Sequence, residues 1–228
     1  MRLICALICS ISFTANLYGQ TLADSLRSNS LRIGIDVLKV GSGIANGNLN
    51  SGLEFFGAYN SRKHIFIADL GTANIQKAVN NYQETSKGAY FRLGYEKNLM
   101  RRGDDQISFG GRLAGSVFQF QAKDIQLTSD DFNSYTVTLP PKNAVLFWLE
   151  ANMSVRVNIL PYLGLAATAR LQRKVGQNFD TDYFPANIPG YGNFANNVAF
   201  GFNYYVFFTI PFKQYRIADK DLKPRGAK

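Results

Sequence analysis

The chain has 228 residues, with 46% hydrophobic and 14% aromatic side chains and a formal net charge of +9. Its two cysteines, Cys5 and Cys9, fall in an N-terminal segment that reads as a removable signal, so disulfides, thiol catalysis and cysteine-held metals are excluded from the exported chain. No apolar run beyond residue 20 reaches even 15 residues, which excludes a transmembrane helix, and the remaining 208 residues form one domain by size.

In chain order, Arg2 supplies a positive start and Leu3–Phe13 a short apolar core broken by Ser10 and Ser12. Leu17-Tyr18-Gly19 before Gln20 is a cleavage site ending in a small residue, so residues 1–19 are expected to be a signal peptide. A lipoprotein would need a small residue before its acceptor cysteine, whereas Cys9 follows Ile8. Residues 20–30 then form an N-terminal periplasmic segment, 31–212 a barrel and 213–228 a basic periplasmic tail. That tail holds Lys213, Arg216, Lys220, Lys223, Arg225 and Lys228 against Asp219 and Asp221. A basic tail invites a nucleic-acid reading, but an exported protein rarely meets nucleic acid; a solvated end is the expectation.

Eight segments show the period-two alternation of strands. The first sets Leu31, Ile33, Ile35 and Val37 against Arg32, Gly34, Asp36 and Leu38; the second sets Leu53, Phe55, Gly57 and Tyr59 against Glu54, Phe56 and Ala58. Residues 64–70 are short, with Phe66, Ala68 and Leu70 opposite Ile65, Ile67 and Asp69. Ala89, Phe91, Leu93 and Tyr95 then oppose Tyr90, Arg92, Gly94 and Glu96, and Ile107, Phe109, Leu113 and Val117 oppose Ser108, Arg112, Ala114 and Ser116. The cleanest alternation is 145–159, where eight apolar residues from Val145 to Ile159 face away from a set containing Trp148, Glu150 and Arg156. Residues 162–172 place Leu163, Leu165 and Leu171 opposite Thr168 and Arg170. The last strand, 198–212, has Val198, Phe200, Phe202, Tyr204, Val206, Phe208, Ile210 and Phe212 on one face and a smaller, more polar set on the other.

The connections, near 41–50, 60–63, 71–87, 99–105, 120–144, 160–161 and 173–197, alternate long and short. Short turns at one end and long loops at the other are the habit of outer-membrane barrels. The expected fold is therefore all-β, an eight-stranded antiparallel up-and-down transmembrane β-barrel in the outer membrane of a Gram-negative bacterium, with both termini periplasmic. Phe212 marks the periplasmic end, and Gly201 with Tyr204 partly fits the glycine-aromatic pattern read by the barrel assembly machinery. That machinery and outer-membrane lipid are the expected partners.

The polar faces carry Arg32, Arg92, Arg112, Arg156 and Arg170 together with Asp36, Glu54, Asp69, Glu96 and Glu150. Five charges of each sign fit an eight-stranded interior, which side chains fill, and predict a packed ion-paired lumen. A proton or ion path through it is the competing reading.

Candidate sites are few. The single histidine, His64, falls at a short turn, the wrong end for acyl transfer at the outer rim. Asp130-Asp131 and Asp180 with Asp182 are acidic, yet their spacing is not that of a calcium loop. Loop 173–197 places Tyr183, Phe184, Tyr191 and Phe194 among prolines and glycines, either as a binding surface or as a cap folded onto the barrel mouth. Gly110-Gly111 inside a strand marks a bend or a close interior contact. No catalytic residue, metal site or cofactor is expected.

The runs Thr85–Gly94 and Phe184–Tyr191, with Gly201-Phe202-Asn203-Tyr204, resemble a family of small outer-membrane barrel proteins of unknown function from Bacteroidota, over about residues 30–212. The resemblance implies the location and the fold and brings no catalytic or binding residues with it. The function expected is a non-enzymatic barrel whose long outer loops bind a ligand that the sequence does not identify, or build surface structure. The alternatives are a lipid- or peptide-modifying enzyme, with Ser134, Tyr135 and Asp130 as loose candidates, or a narrow channel.

Overall fold

Side chains alternate across a strand, so a strand with one greasy face and one charged face must put two environments on its two sides. In the computed structural model, which describes residues 26–45, 50–61, 63–79, 82–100, 105–129, 132–179 and 184–216, eight such strands close into one antiparallel ring. They are β1 (Leu26–Asp36), β2 (Asn50–Ser61), β3 (His64–Val79), β4 (Tyr82–Asn98), β5 (Gln106–Lys123), β8 (Lys142–Asn158), β9 (Leu163–Gln177) and β12 (Val198–Arg216). Each pairs with its neighbour in sequence, and β1 meets β12 to close the ring, from Leu26 opposite Arg216 to Asp36 opposite Tyr205. Two hairpins outside the ring, β6 (Ile125–Ser129) with β7 (Phe132–Val137) and β10 (Asn187–Ile188) with β11 (Gly192–Asn193), stand at one end. That end is called the loop end below and the other the turn end.

The apolar sets point outward. On β12, Phe200 is 73% exposed and Asn203 is fully buried, and the same division holds around the ring. A soluble barrel would have the reverse arrangement, with its large apolar side chains inside. Aromatic side chains gather on the outer surface near the turn end, where Phe66 lies against Tyr95 and Tyr162 stacks on Phe208. The interior holds two apolar clusters. One, near the loop end, contains Tyr90, Phe118, Phe120, Leu146, Trp148 and Ile188; the other, near the turn end, contains Phe56, Ile65, Ile67, Tyr205 and Phe207. Charged side chains occupy the space between and beside them.

Two glycines are fixed by close backbone approach. A Cβ at Gly110 would lie 2.0 Å from the Tyr95 carbonyl oxygen, the contact expected from Gly110-Gly111. A Cβ at Gly94 would lie 2.3 Å from Cγ of Arg112, so this glycine leaves room for that arginine to cross the lumen.

Several boundaries differ from the sequence reading. The first strand stops at Asp36, and a helix, α1 (Val37–Ala45), replaces both the strand end at Val37–Leu38 and the start of the expected loop. The reason is the Asp36 side chain, which accepts hydrogen bonds from the backbone N–H of Leu38 at 2.9 Å and of Lys39 at 3.4 Å and so caps the helix. Residues 71–87 are not a long loop: β3 and β4 run on as a paired ladder, with Lys77 opposite Glu84 and Val79 opposite Tyr82. Outward side chains there turn polar (Thr85, Lys87), so hydrophobic periodicity fades while the hydrogen bonding continues. The expected loop 120–144 is largely the β6–β7 hairpin, entered at Asp124, whose positive φ of 54° makes the tight link after β5. Pairing also extends past both expected barrel limits, starting at Leu26 and ending at Arg216. The segment 1–19 expected to be a signal peptide and the end of the expected basic tail lie outside the described residues.

Candidate functional site

All ten charges read from the strand faces are at most 5% exposed. Inside a barrel wall a charge survives only if it is paired and its remaining hydrogen-bonding groups are satisfied. The pairs form around two carboxylates. Glu96 of β4 accepts Arg112 Nη2 at 2.8 Å and Arg156 Nη2 at 3.0 Å, along with the hydroxyls of Ser108 at 2.6 Å and Ser154 at 3.1 Å. Arg112 also donates to Asp69, tying β3 to the same group.

The second carboxylate is Glu54 of β2, toward the loop end. It faces Arg92 Nη1 at 2.9 Å and Arg170 Nη1 at 3.7 Å, and accepts the Tyr90 hydroxyl at 2.6 Å and Asn203 Nδ2 at 3.2 Å. Lys39 of α1 and the Tyr205 hydroxyl donate to it as well. Arg92 passes the chain of contacts on through Nε, 3.0 Å from Glu150, which also accepts Trp148 Nε1 at 2.7 Å and Gln172 Nε2 at 3.0 Å. Hydrogen bonds to ionised groups are the stronger kind, and in this low-dielectric interior each polarises its neighbours.

Two of the ten charges serve differently from the rest. Arg32 bonds the neutral Gln106 at 2.6 Å and lies 5.0 Å above the Phe207 ring. Asp36 caps α1 and accepts Asn203. The residues that the sequence reading did not single out for the site are Lys39, Glu84, Tyr90, Trp148, Gln172, Asn203 and Tyr205. Trp148, Asn203 and Tyr205 fall on the lumen face of their strands by simple alternation. Lys39 gave no such signal, because it lies on the helix that interrupts the pattern.

The loop end is closed by residues 184–197. Glu84, at the far end of β4, accepts the backbone N–H of Ala186 at 2.8 Å and of Asn187 at 3.4 Å. Arg92 Nη2 donates to the Gly190 carbonyl at 2.8 Å, joining this loop to the Glu54 cluster. Gly190 has φ +80°, and a Cβ there would sit 2.5 Å from the Tyr90 ring, so both backbone and space demand glycine. Tyr191 turns inward, 3% exposed, with its ring 5.7 Å from Trp148 and its hydroxyl donating to the Asn196 carbonyl at 2.8 Å. Burial raises the pKa of that hydroxyl. Phe194 packs between Phe179 and Phe184, under the Lys174 ammonium at 3.9 Å, and Phe184 stays 45% exposed. Tyr183 lies outside the described residues, as do Asp130, Asp131, Asp180 and Asp182.

His64 lies at the turn end and hydrogen-bonds the Tyr95 hydroxyl on the outer surface. Tyr135 is exposed on β7, and the side chain of Ser134 lies outside the described residues. The loose nucleophile set is therefore not assembled by the described residues. Among them no three His, Cys, Asp or Glu side chains converge as metal ligands would.

A family model described as a domain of unknown function, DUF6048, matches residues 1–215, which takes in every strand of the ring except Arg216, the last residue of β12. The chain belongs to the DUF6048 family. None of the curated proteins compared with it matches. In this DUF6048 chain the ion-paired interior and the loop folded over it draw on residues from β1 to β12, all within the matched span.

Proposed function

We propose that this protein is a non-enzymatic outer-membrane barrel of a Gram-negative bacterium, sealed along its axis, whose loop end forms a binding or structural surface. The observation that carries the reading is the inverted distribution of side chains: large apolar residues outward on every strand of the ring, buried ion pairs within. Apolar side chains ringing a closed β-wall match a hydrocarbon solvent, and closure leaves few unpaired strand edges to face it. The signal-like start at Arg2–Gly19 and the resemblance to small barrel proteins from Bacteroidota support the same location.

Two apolar clusters, two carboxylate-centred networks and the inward Tyr191 fill the lumen, which supports a sealed barrel over a narrow channel. Sucrose-gradient fractionation of cells expressing the full chain is expected to place it with outer membranes, and unboiled samples are expected to migrate faster than boiled ones in gels. Recovery in the soluble periplasm would sink the membrane reading. In planar bilayers the folded protein should carry no stepwise current; reproducible unitary steps would overturn the sealed interior. Mass spectra of envelope lipids from a deletion strain are expected to be unchanged, and a missing modification would favour an enzyme.

A further inference from the structure

Among the described residues the wall of the barrel is incomplete above the end of β1. β1 pairs with β12 no higher than Asp36 opposite Tyr205, and with β2 no higher than Ile35 opposite Phe55. Beyond that level β12 still pairs with β9 through Val198–Tyr204, and β2 with β3 through Asn50–Glu54. Among the described residues no strand joins these two edges; α1 packs against both instead. A helix satisfies its own backbone and cannot complete a strand ladder, so a seam remains in the wall.

A cavity of about 270 Å³ lies at this seam. Its lining mixes the two faces of the wall: Ser51 and Phe202 belong to the outward sets, whereas Lys39, Tyr90, Arg92 and Arg170 come from the interior. The cavity therefore joins the interior to the outer surface sideways, below the loop cap. Three of its lining residues are cations, and among the described residues no carboxylate lines it. Glu54 and Glu150 stand behind the cations, with Asp36 3.9 Å from the Lys39 ammonium.

Arg170 is the group these acids leave underused. It is 4% exposed, its ion pair to Glu54 is long at 3.7 Å, and among the described residues neither its Nε nor its Nη1 has a hydrogen-bond partner. Gly201 lies beside it, and a Cβ there would come within 3.3 Å of Nε and 3.4 Å of Nη2. The absent side chain leaves that edge of the guanidinium open to the cavity. A buried guanidinium with idle donors is matched by a planar or tetrahedral oxyanion, a carboxylate or phosphate. Outside the seam the surface is apolar, with Phe200, Phe202, Leu53 and Leu38 exposed around it. A free ion would have no reason to approach across such a surface, whereas the headgroup of an amphiphile would.

We propose that the seam cavity binds the phosphate headgroup of an anionic lipid, which reaches Arg170 sideways between β2 and β12 with its acyl chains along Phe200 and Phe202. This rests on the reading of the barrel as a membrane protein. The chain's single tryptophan, Trp148, lies 5.7 Å from Tyr191, which lines the cavity, and so reports on occupancy. The full barrel, folded in uncharged detergent, is titrated with a short-chain phosphatidic acid, with phosphatidylcholine of the same chain length and with inorganic phosphate, following Trp148 fluorescence and lipid retained in native mass spectra.

Saturable binding of phosphatidic acid is expected, at least about tenfold tighter than either comparison ligand, and weakened about tenfold or more in Arg170→Gln. Gly201→Leu fills the cavity without changing any charge and is expected to abolish binding, while heat-modifiable mobility shows each variant folded. Equal binding of phosphatidic acid and phosphatidylcholine, or binding unchanged in both variants, would overturn the site. Inorganic phosphate binding as tightly as the lipid would reveal a bare ion site and overturn lateral lipid entry. Failure of the protein to float with liposomes would instead strike the membrane reading, independently of headgroup preference.

Discussion

Removing the Glu96 carboxylate takes a charge partner from two buried arginines at once. Arg112 would retain Asp69, while Arg156 would be left with Ser108 at 2.8 Å as its bonded partner among the described residues. Breaking one side of a buried pair costs about 3–5 kcal/mol, because the remaining charge is uncompensated. Glu96→Ala is expected to lose about that much stability in denaturant titrations of the folded barrel. Glu96→Gln, which keeps an acceptor for the serine hydroxyls, should lose less. A loss below the cost of an ordinary surface change would mean that the Glu96 cluster is replaceable packing. These charges were legible residue by residue, because period two assigns each strand position to a face. Their partners were not: which arginine meets which acid depends on register and strand tilt, and Lys39 reaches Glu54 from a helix that breaks the alternation.

At the scale of elements, α1 was the least legible piece. Leu31, Ile33, Ile35 and Val37 keep a strand rhythm up to its first residue, and nine residues are too few to show a helical stripe against that background. Asp36 was the available sign, since aspartate before an apolar turn is a good cap. Asp36→Ala is expected to destabilise the helix by about 0.5–2 kcal/mol and to speed amide exchange at Leu38 and Lys39. Asp36→Asn, itself a capping residue, should retain most of the protection; equal exchange in both variants would show that the cap is not what holds the helix. The β3–β4 extension escaped notice for a different reason. Above the greasy band the outward set turns polar (Thr72, Asn74, Gln76, Thr85, Lys87) while small and apolar residues such as Ala73 and Ile75 take the inward face, so the apolar-out rhythm that marks the other strands is lost. The loop cap has its own anchor in Glu84. Glu84→Ala removes the acceptor for the backbone N–H groups of Ala186 and Asn187 and is expected to open residues 184–197 to limited proteolysis while the unfolding midpoint of the barrel stays nearly unchanged.

For the whole molecule, inward and outward sets were readable before any coordinates, and they decide the architecture: eight two-faced strands can satisfy both faces only by closing. The alternation of long and short connections was a weaker guide, failing at 71–87 where a paired ladder stands in place of a loop. What length and pattern did not reveal is that the staves are unequal. Only Ser30–Ile35 of β1 bonds to β2, whereas β3 and β4 are laced together from His64 opposite Lys97 to Val79 opposite Tyr82. A hoop under load parts at its shortest lap. Heat or pulling force should therefore open the ring at the β1–β2 lap first, with β1 still held to β12 along Leu26–Asp36, and in assembly that lap should be the one that closes last. A cross-link between cysteines placed at Ile33 and Gly57, which face each other across the β1–β2 lap, is expected to slow unfolding far more than one placed across β3 and β4.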